Sequence, residues 1–183
     1  MAILLFDEIN AFKTHLQALK SPDRESKPSR SMDLSDEVLD LLIMAYIFGT
    51  NDANEMLGGS EEPTMDEMMS AIEKKTDGKD FRERISEHIE DGGVELIATV
   101  ADTESIRVYN EAVLNTGIKL GAKEKTWHTM EDEKVRDTHS PLDGITVPID
   151  AYFYTWDGDK AKNPCGFEKA SNNCNCRCVL TVS

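Results

Sequence analysis

KTWHTMEDEKVRDTHSPLDGITVP, residues 125–148, is where the texture of this 183-residue chain changes. Upstream, apolar residues recur every three or four positions. From Lys125 onward, KTWHTM, ITVPIDAYFYTW and CRCVLTVS are short segments rich in Thr, Val, Ile and aromatics, the composition of strands. SPLDG and WDGDKAKNPCG lie between them and read as turns. The expectation is a small unit of two to four short antiparallel strands, with one helical turn near EDEKVRDTH.

Working back toward the N-terminus, the signals are helical. FDEINAFKTHLQALK carries Phe6, Ile9, Phe12, Leu16 and Leu19 as an amphipathic stripe. SPDRESKPSRS, with two prolines and four serines, reads as a linker near 21–32. A second helix is expected from about Asp33 to Leu57, apolar nearly all round between Val38 and Phe48, which places it in the middle of a bundle or against a partner. Thr64 and Glu67 are spaced as a capping box. Asp80 with Glu83 can cap a helix through FRERISEHIE, which Gly92–Gly93 interrupts or ends. A last helix places Ile106, Tyr109, Val113 and Leu120 on one side and stops at Gly121, the residue type suited to a left-handed C-terminal cap. The fold class is α+β: an acidic helical region over 1–122, then a β-containing module over 123–183, with a lead-in helix from about 103.

Charge follows the same division. Residues 123–183 hold eight Lys/Arg against ten Asp/Glu, and residues 1–122 hold twelve against twenty-five. Most of the net charge of −15 therefore sits in the front. Such a surface repels phosphate backbones, which argues against direct nucleic-acid binding there. It reads as solvated helix faces, or as a surface steered to a basic protein partner. VLDLLIMAYIF, the longest apolar stretch, is interrupted by Asp40 and too short to cross a bilayer. The first residues lack a basic region ahead of the apolar run, so a secretory leader is not expected. The expected setting is a cytoplasm, where thiols stay reduced.

All four cysteines lie in the last nineteen residues: Cys165, Cys174, Cys176 and Cys178. On an extended tail, Cys174, Cys176 and Cys178 would share one face, and with His139 could surround a zinc ion. The competing reading is small buried residues on an inner strand face, because alternation along a strand does not wrap an ion as a Cys-x-x-Cys turn does. The span Asp132–Arg136–Asp137–His139 has two readings too. One is a buried network with Asp132 and Arg136 paired four residues apart. The other makes His139 a general base oriented by Asp132 or Asp137. No glycine-flanked serine, lone reactive thiol or phosphate-cradling loop accompanies it, so no catalytic residue is assigned.

Lys125, Trp127, Thr129, Asp132, Val135, Arg136, Thr138, His139, Leu142 and Gly144 form an ordered series. Val147–Pro148, Phe153, Pro164 and the closing NCRC, Asn175 to Cys178, follow it. This series resembles the phage Mu protein F-like family of minor head proteins, also called phage head morphogenesis proteins, over roughly residues 104–183. Cys174 stands where that pattern more often has an apolar residue. The resemblance implies a structural motif of Trp127, Asp132, Arg136, His139, Gly144, Asn175 and Arg177. It also implies a non-enzymatic minor capsid protein of a tailed bacteriophage, assembled in the host cytoplasm and carried in the virion. Its implied partners are the portal and the major capsid or scaffold protein, with roles in procapsid assembly and DNA delivery. No cofactor is required, zinc being the one candidate, and no membrane is involved. The alternative, from the fusion of such modules to effectors, is a metal-dependent nuclease, hydrolase or toxin-like effector centred on His139. A prophage remnant without a retained role is the third reading.

Overall fold

Apolar residues around most of a helix, as over Val38–Phe48, force it into the middle of a structure. In the computed structural model, residues 3–18, 27–75, 78–90 and 93–183 are described. The helices are α1 (Ile3–Ala18), α2 (Lys27–Leu57), α3 (Met65–Ile72), α4 (Phe81–Glu90), α5 (Val94–Lys119) and the short α6 (Ala170–Asn173). α2 and α5 form the central pair. Val38, Leu42 and Ala45 of α2, with Ile106, Tyr109 and Val113 of α5, are buried in the shared core. Gly49 permits their close approach, since a Cβ there would lie 2.3 Å from the Tyr109 carbonyl oxygen. Lower down, the Tyr109 hydroxyl donates to Asp52 at 2.5 Å.

The caps expected at α3 and α4 are present. Thr64 and Glu67 satisfy each other's backbone N–H at 3.3 and 3.0 Å, and Asp80 and Glu83 do the same at 2.9 Å each. Gly121 follows α5 in the left-handed region at φ 81°. Two expectations need correction. α2 begins at Lys27 rather than near Asp33, because Pro28 falls in the first turn, where its missing N–H has no intrahelical partner to lose. Of the expected linker, 21–26 lies outside the described residues, as does Gly92. α5 is also not one-sided: every residue from Thr103 to Leu114 is buried. Helices cover one side of it and the C-terminal sheet covers the other.

Beyond α5 the chain makes five short strands in two antiparallel sheets. β1 (Glu124–His128) is flanked by β2 (Thr146–Pro148) and β5 (Val179–Val182), while β3 (Phe153–Tyr154) pairs with β4 (Lys160–Ala161). In register, Trp127 lies opposite Leu180 and Lys125 opposite both Val147 and Val182. The helical turn expected near EDEKVRDTH is absent. Residues 131–139 run as turns, and a single 3-10 turn follows at Ser140–Leu142. Glu131 at φ 51° breaks the helical path at its start. α5 is bolted to the sheet by Asn110, which donates to the Cys178 carbonyl at 3.1 Å and accepts from the Leu180 N–H at 2.8 Å.

Alternation along β1 turns Lys125 and Trp127 to the same inner face. Lys125 is fully buried and its Nζ finds no hydrogen-bond partner; the Phe153 ring lies 5.6 Å from it, and Asp150 offers opposite charge. Burial, helped by the neighbouring Lys162, pushes its pKa down to about 8. Between that value and the ordinary lysine range the unfolded chain holds a proton the folded chain has released. Stability from this group therefore rises with pH across that window, and its penalty is fully present below pH 8. Lys125→Met, which keeps the length and removes the charge, should raise the Tm at pH 7. The gap between variant and parent should close as pH approaches 10, in thermal melts followed by circular dichroism. A parent protein that melts higher than the variant at pH 7 contradicts this.

Candidate functional site

Trp127 is the hub of the C-terminal module. It meets Phe153 at 5.2 Å, His139 at 5.5 Å and Phe167 at 5.6 Å between ring centroids, and His139 stacks on Phe167 at 5.3 Å. Each ring arrives from a different segment. Trp127 is set by β1 and Phe153 by β3, while His139 comes at the end of the turns and Phe167 from the loop before α6. The first loop is folded back by Gly144, at φ 70°, whose N–H donates to the Trp127 carbonyl at 2.8 Å. Asp143 holds Thr129 through its N–H at 2.6 Å and its hydroxyl at 2.9 Å, bonds that lower the Asp143 pKa.

The second loop is organised by Asp159 and Asn173. Burial opposes ionisation of Asp159. The donors around its carboxylate outweigh that and lower its pKa: Asn172 at 3.0 Å, Lys169 N–H at 3.1 Å, Lys160 N–H at 2.9 Å and Glu168 N–H at 3.2 Å. Asn173 brackets Phe167, accepting from its N–H at 3.0 Å and donating to its carbonyl at 2.7 Å. The sequence alone does not single out Asp159, Asn172 or Asn173. Buried Asp and Asn within a run of turn residues look like ordinary turn formers, so only their burial distinguishes them.

Against this frame His139 faces two sulfurs. Its Nδ1 lies 3.6 Å from Cys176 Sγ and 3.6 Å from Cys178 Sγ, while Nε2 is buried with no partner. Cys165 is buried beside them, directing its thiol to the carbonyls of Asn173 at 3.7 Å and Cys176 at 3.8 Å. Hydrogen bonds from Cys165 and Cys178 pull the Cys176 thiol well below the usual range, with His139 assisting against burial. The same Cys176 contact, followed by burial, raises Cys165 and Cys178.

The tail is not the single extended face expected. β5 starts only at Val179. Asn175, at φ 56°, turns the chain between Cys174 and Cys176, so Cys174 is exposed while Cys176 and Cys178 point inward. The Asp132–Arg136–His139 network does not close either. Asp132 instead pairs with Arg177, which donates through both guanidinium nitrogens at 2.8 and 2.6 Å, and this fork lowers the Asp132 pKa. Arg136 donates to the Cys174 carbonyl, Asn175 N–H donates to Thr103 at 3.1 Å, and Trp156 N–H donates to the Asp137 carbonyl at 3.2 Å. The reason is local: without a helical turn, positions 132 and 136 are no longer stacked one above the other. The motif residues still converge, but on the tail rather than on each other. With both ring nitrogens buried, His139 presents no open base to a substrate.

A family model for phage Mu protein F like proteins matches residues 64–181. The chain belongs to the phage Mu protein F like family. No curated protein and no solved structure matches it. The Mu F-like match takes in every motif residue named above. It begins forty residues before the resemblance read from the sequence, at the capping threonine of α3. Membership points to a bacteriophage protein of head morphogenesis with a structural role. Among the described residues, no helix is long and apolar enough to cross a membrane.

Proposed function

We propose that this chain is a minor head protein that joins the portal or the inner face of the capsid during procapsid assembly and stays in the virion, with a part in DNA delivery. The observation that carries the reading is the Mu F-like match over residues 64–181. Within that signature, Trp127, His139 and Phe153 pack their rings into a buried core, as an architectural role requires. The acidic front supplies the docking surface. Asp7, Glu8, Asp36, Asp40 and Glu55 are exposed on α1 and α2, and such charges speed encounter with a basic partner. In this reading the module is the scaffold and the helices choose the partner.

The test is co-sedimentation. In cells producing the phage, the tagged chain should travel with procapsids and mature particles, and with isolated portal in a salt-sensitive manner. Absence from both particle forms rejects the proposal.

A further inference from the structure

We propose that His139, Cys176 and Cys178, completed by Cys165, hold a structural zinc ion that ties the three loops of the module together. This goes beyond the head-protein reading and does not depend on it. The ligand atoms of His139, Cys176 and Cys178 all lie within 4.8 Å of one another, and all three residues are buried. The Nδ1–Sγ separations are 3.6 Å to both sulfurs. Tetrahedral Zn²⁺, with Zn–N of about 2.0–2.1 Å and Zn–S of about 2.3 Å, sets nitrogen and sulfur about 3.6 Å apart.

A metal-free hydrogen-bond network accounts less well for this arrangement. A neutral imidazole nitrogen has one lone pair and can accept one S–H, yet two sulfurs converge symmetrically on the same nitrogen. A shared cation satisfies both. A small cavity of about 10 Å³ borders His139, Cys176 and Cys178, the size of a single bound atom rather than of a substrate. Arg136, Arg177 and Lys134 also line it. Their charge balances the negative charge left when three thiolates bind one divalent ion.

Cys165 lies outside the group that His139, Cys176 and Cys178 form within 4.8 Å, and is the buried thiol beside them that can turn in to close the shell. Its thiol neighbours that of Cys176 and also meets the carbonyls of Asn173 and Cys176 at 3.7 and 3.8 Å. It also sits at φ 62°, a conformation that a residue with a side chain adopts at a cost unless the site demands it. Four protein ligands close the shell, which is the form of structural rather than catalytic zinc. Cys174, exposed and turned away, is excluded.

The full chain, produced in zinc-supplemented medium and purified without chelator, should contain one zinc per chain by elemental analysis. Chelator should lower its Tm and added zinc should restore it. Cobalt in place of zinc should give the visible bands of a tetrahedral site with a thiolate charge-transfer band. Cys165→Ser should cut that band by about one third, while Cys174→Ser should leave it unchanged. Because Cys176→Ser and His139→Ala risk misfolding, the parent chain's response to chelator and zinc is the deciding measurement. Substoichiometric metal with a Tm indifferent to zinc overturns the site, as does a Cys176–Cys178 disulfide in freshly purified protein. An undiminished charge-transfer band in Cys165→Ser overturns the closed four-ligand shell. Co-sedimentation with particles is unaffected by any of these outcomes, so the two readings fail separately.

Discussion

Arg107→Ala should destabilise the protein by about 3–5 kcal/mol, the range for removing one member of a buried ion pair. Arg107 and Glu104 are both almost fully inaccessible on α5, joined at 2.9 Å through Nε and 2.7 Å through Nη2. Arg84 of α4 reaches the other Glu104 oxygen at 2.6 Å. Arg107 also donates to the Ala71 and Ile72 carbonyls at 2.9 and 3.4 Å, filling acceptors that the last turn of α3 leaves open. One guanidinium thus joins α3 to α5, and through Glu104 the tie extends to α4. Removing it leaves Glu104 with Arg84 alone and Glu111 with Lys74 alone, and orphans two carbonyls in a place water reaches poorly. Urea denaturation followed by circular dichroism measures the loss. Arg107→Lys should recover only part of it, because an ammonium cannot present the planar fork. A loss below about 1 kcal/mol would mean that the network is hydrated and contributes as a surface pair does.

The second large effect is expected at Trp127. Truncation to alanine removes the indole from a site with no solvent exposure and leaves a void that Phe153, Phe167 and His139 cannot fill together. Core Trp→Ala changes cost about 3–5 kcal/mol. Trp127→Phe should cost distinctly less, since it keeps an aromatic edge for Phe153. Fluorescence gives a separate check. Of the two tryptophans, Trp156 is 73% exposed and Trp127 is buried, so the blue-shifted component of the emission should vanish in Trp127→Ala. Survival of that component would place the buried fluorophore elsewhere.

Several parts of the fold were legible because they depend on neighbours in sequence. The capping pairs Thr64–Glu67 and Asp80–Glu83 are short-range hydrogen bonds, and Gly121 ends α5 through its own backbone freedom. β1 and β5 follow from runs of β-branched and aromatic residues. The ordered motif from Lys125 to Gly144 pointed to the Mu F-like family, and the family match covers it. What was misread involved partners far away. α5 looked one-sided because its Glu104, Arg107, Asn110 and Glu111 are polar. Each of those is buried by a partner in α3, α4 or the sheet. The pairing of Asp132 with Arg177 rather than Arg136 spans forty-five residues, beyond any spacing rule.

The amino-acid sequence by itself determined that helices precede a small β-module, where α3, α4 and the end of α5 are capped, and which residues make the family signature. Only the tertiary structure decided which polar groups are buried, that Asn175 turns Cys174 outward, and that Cys176 and Cys178 close on His139. The physical reason is range. Helix periods and caps are set by atoms a few residues apart, whereas burial and the choice of partner are set when distant segments close around Trp127.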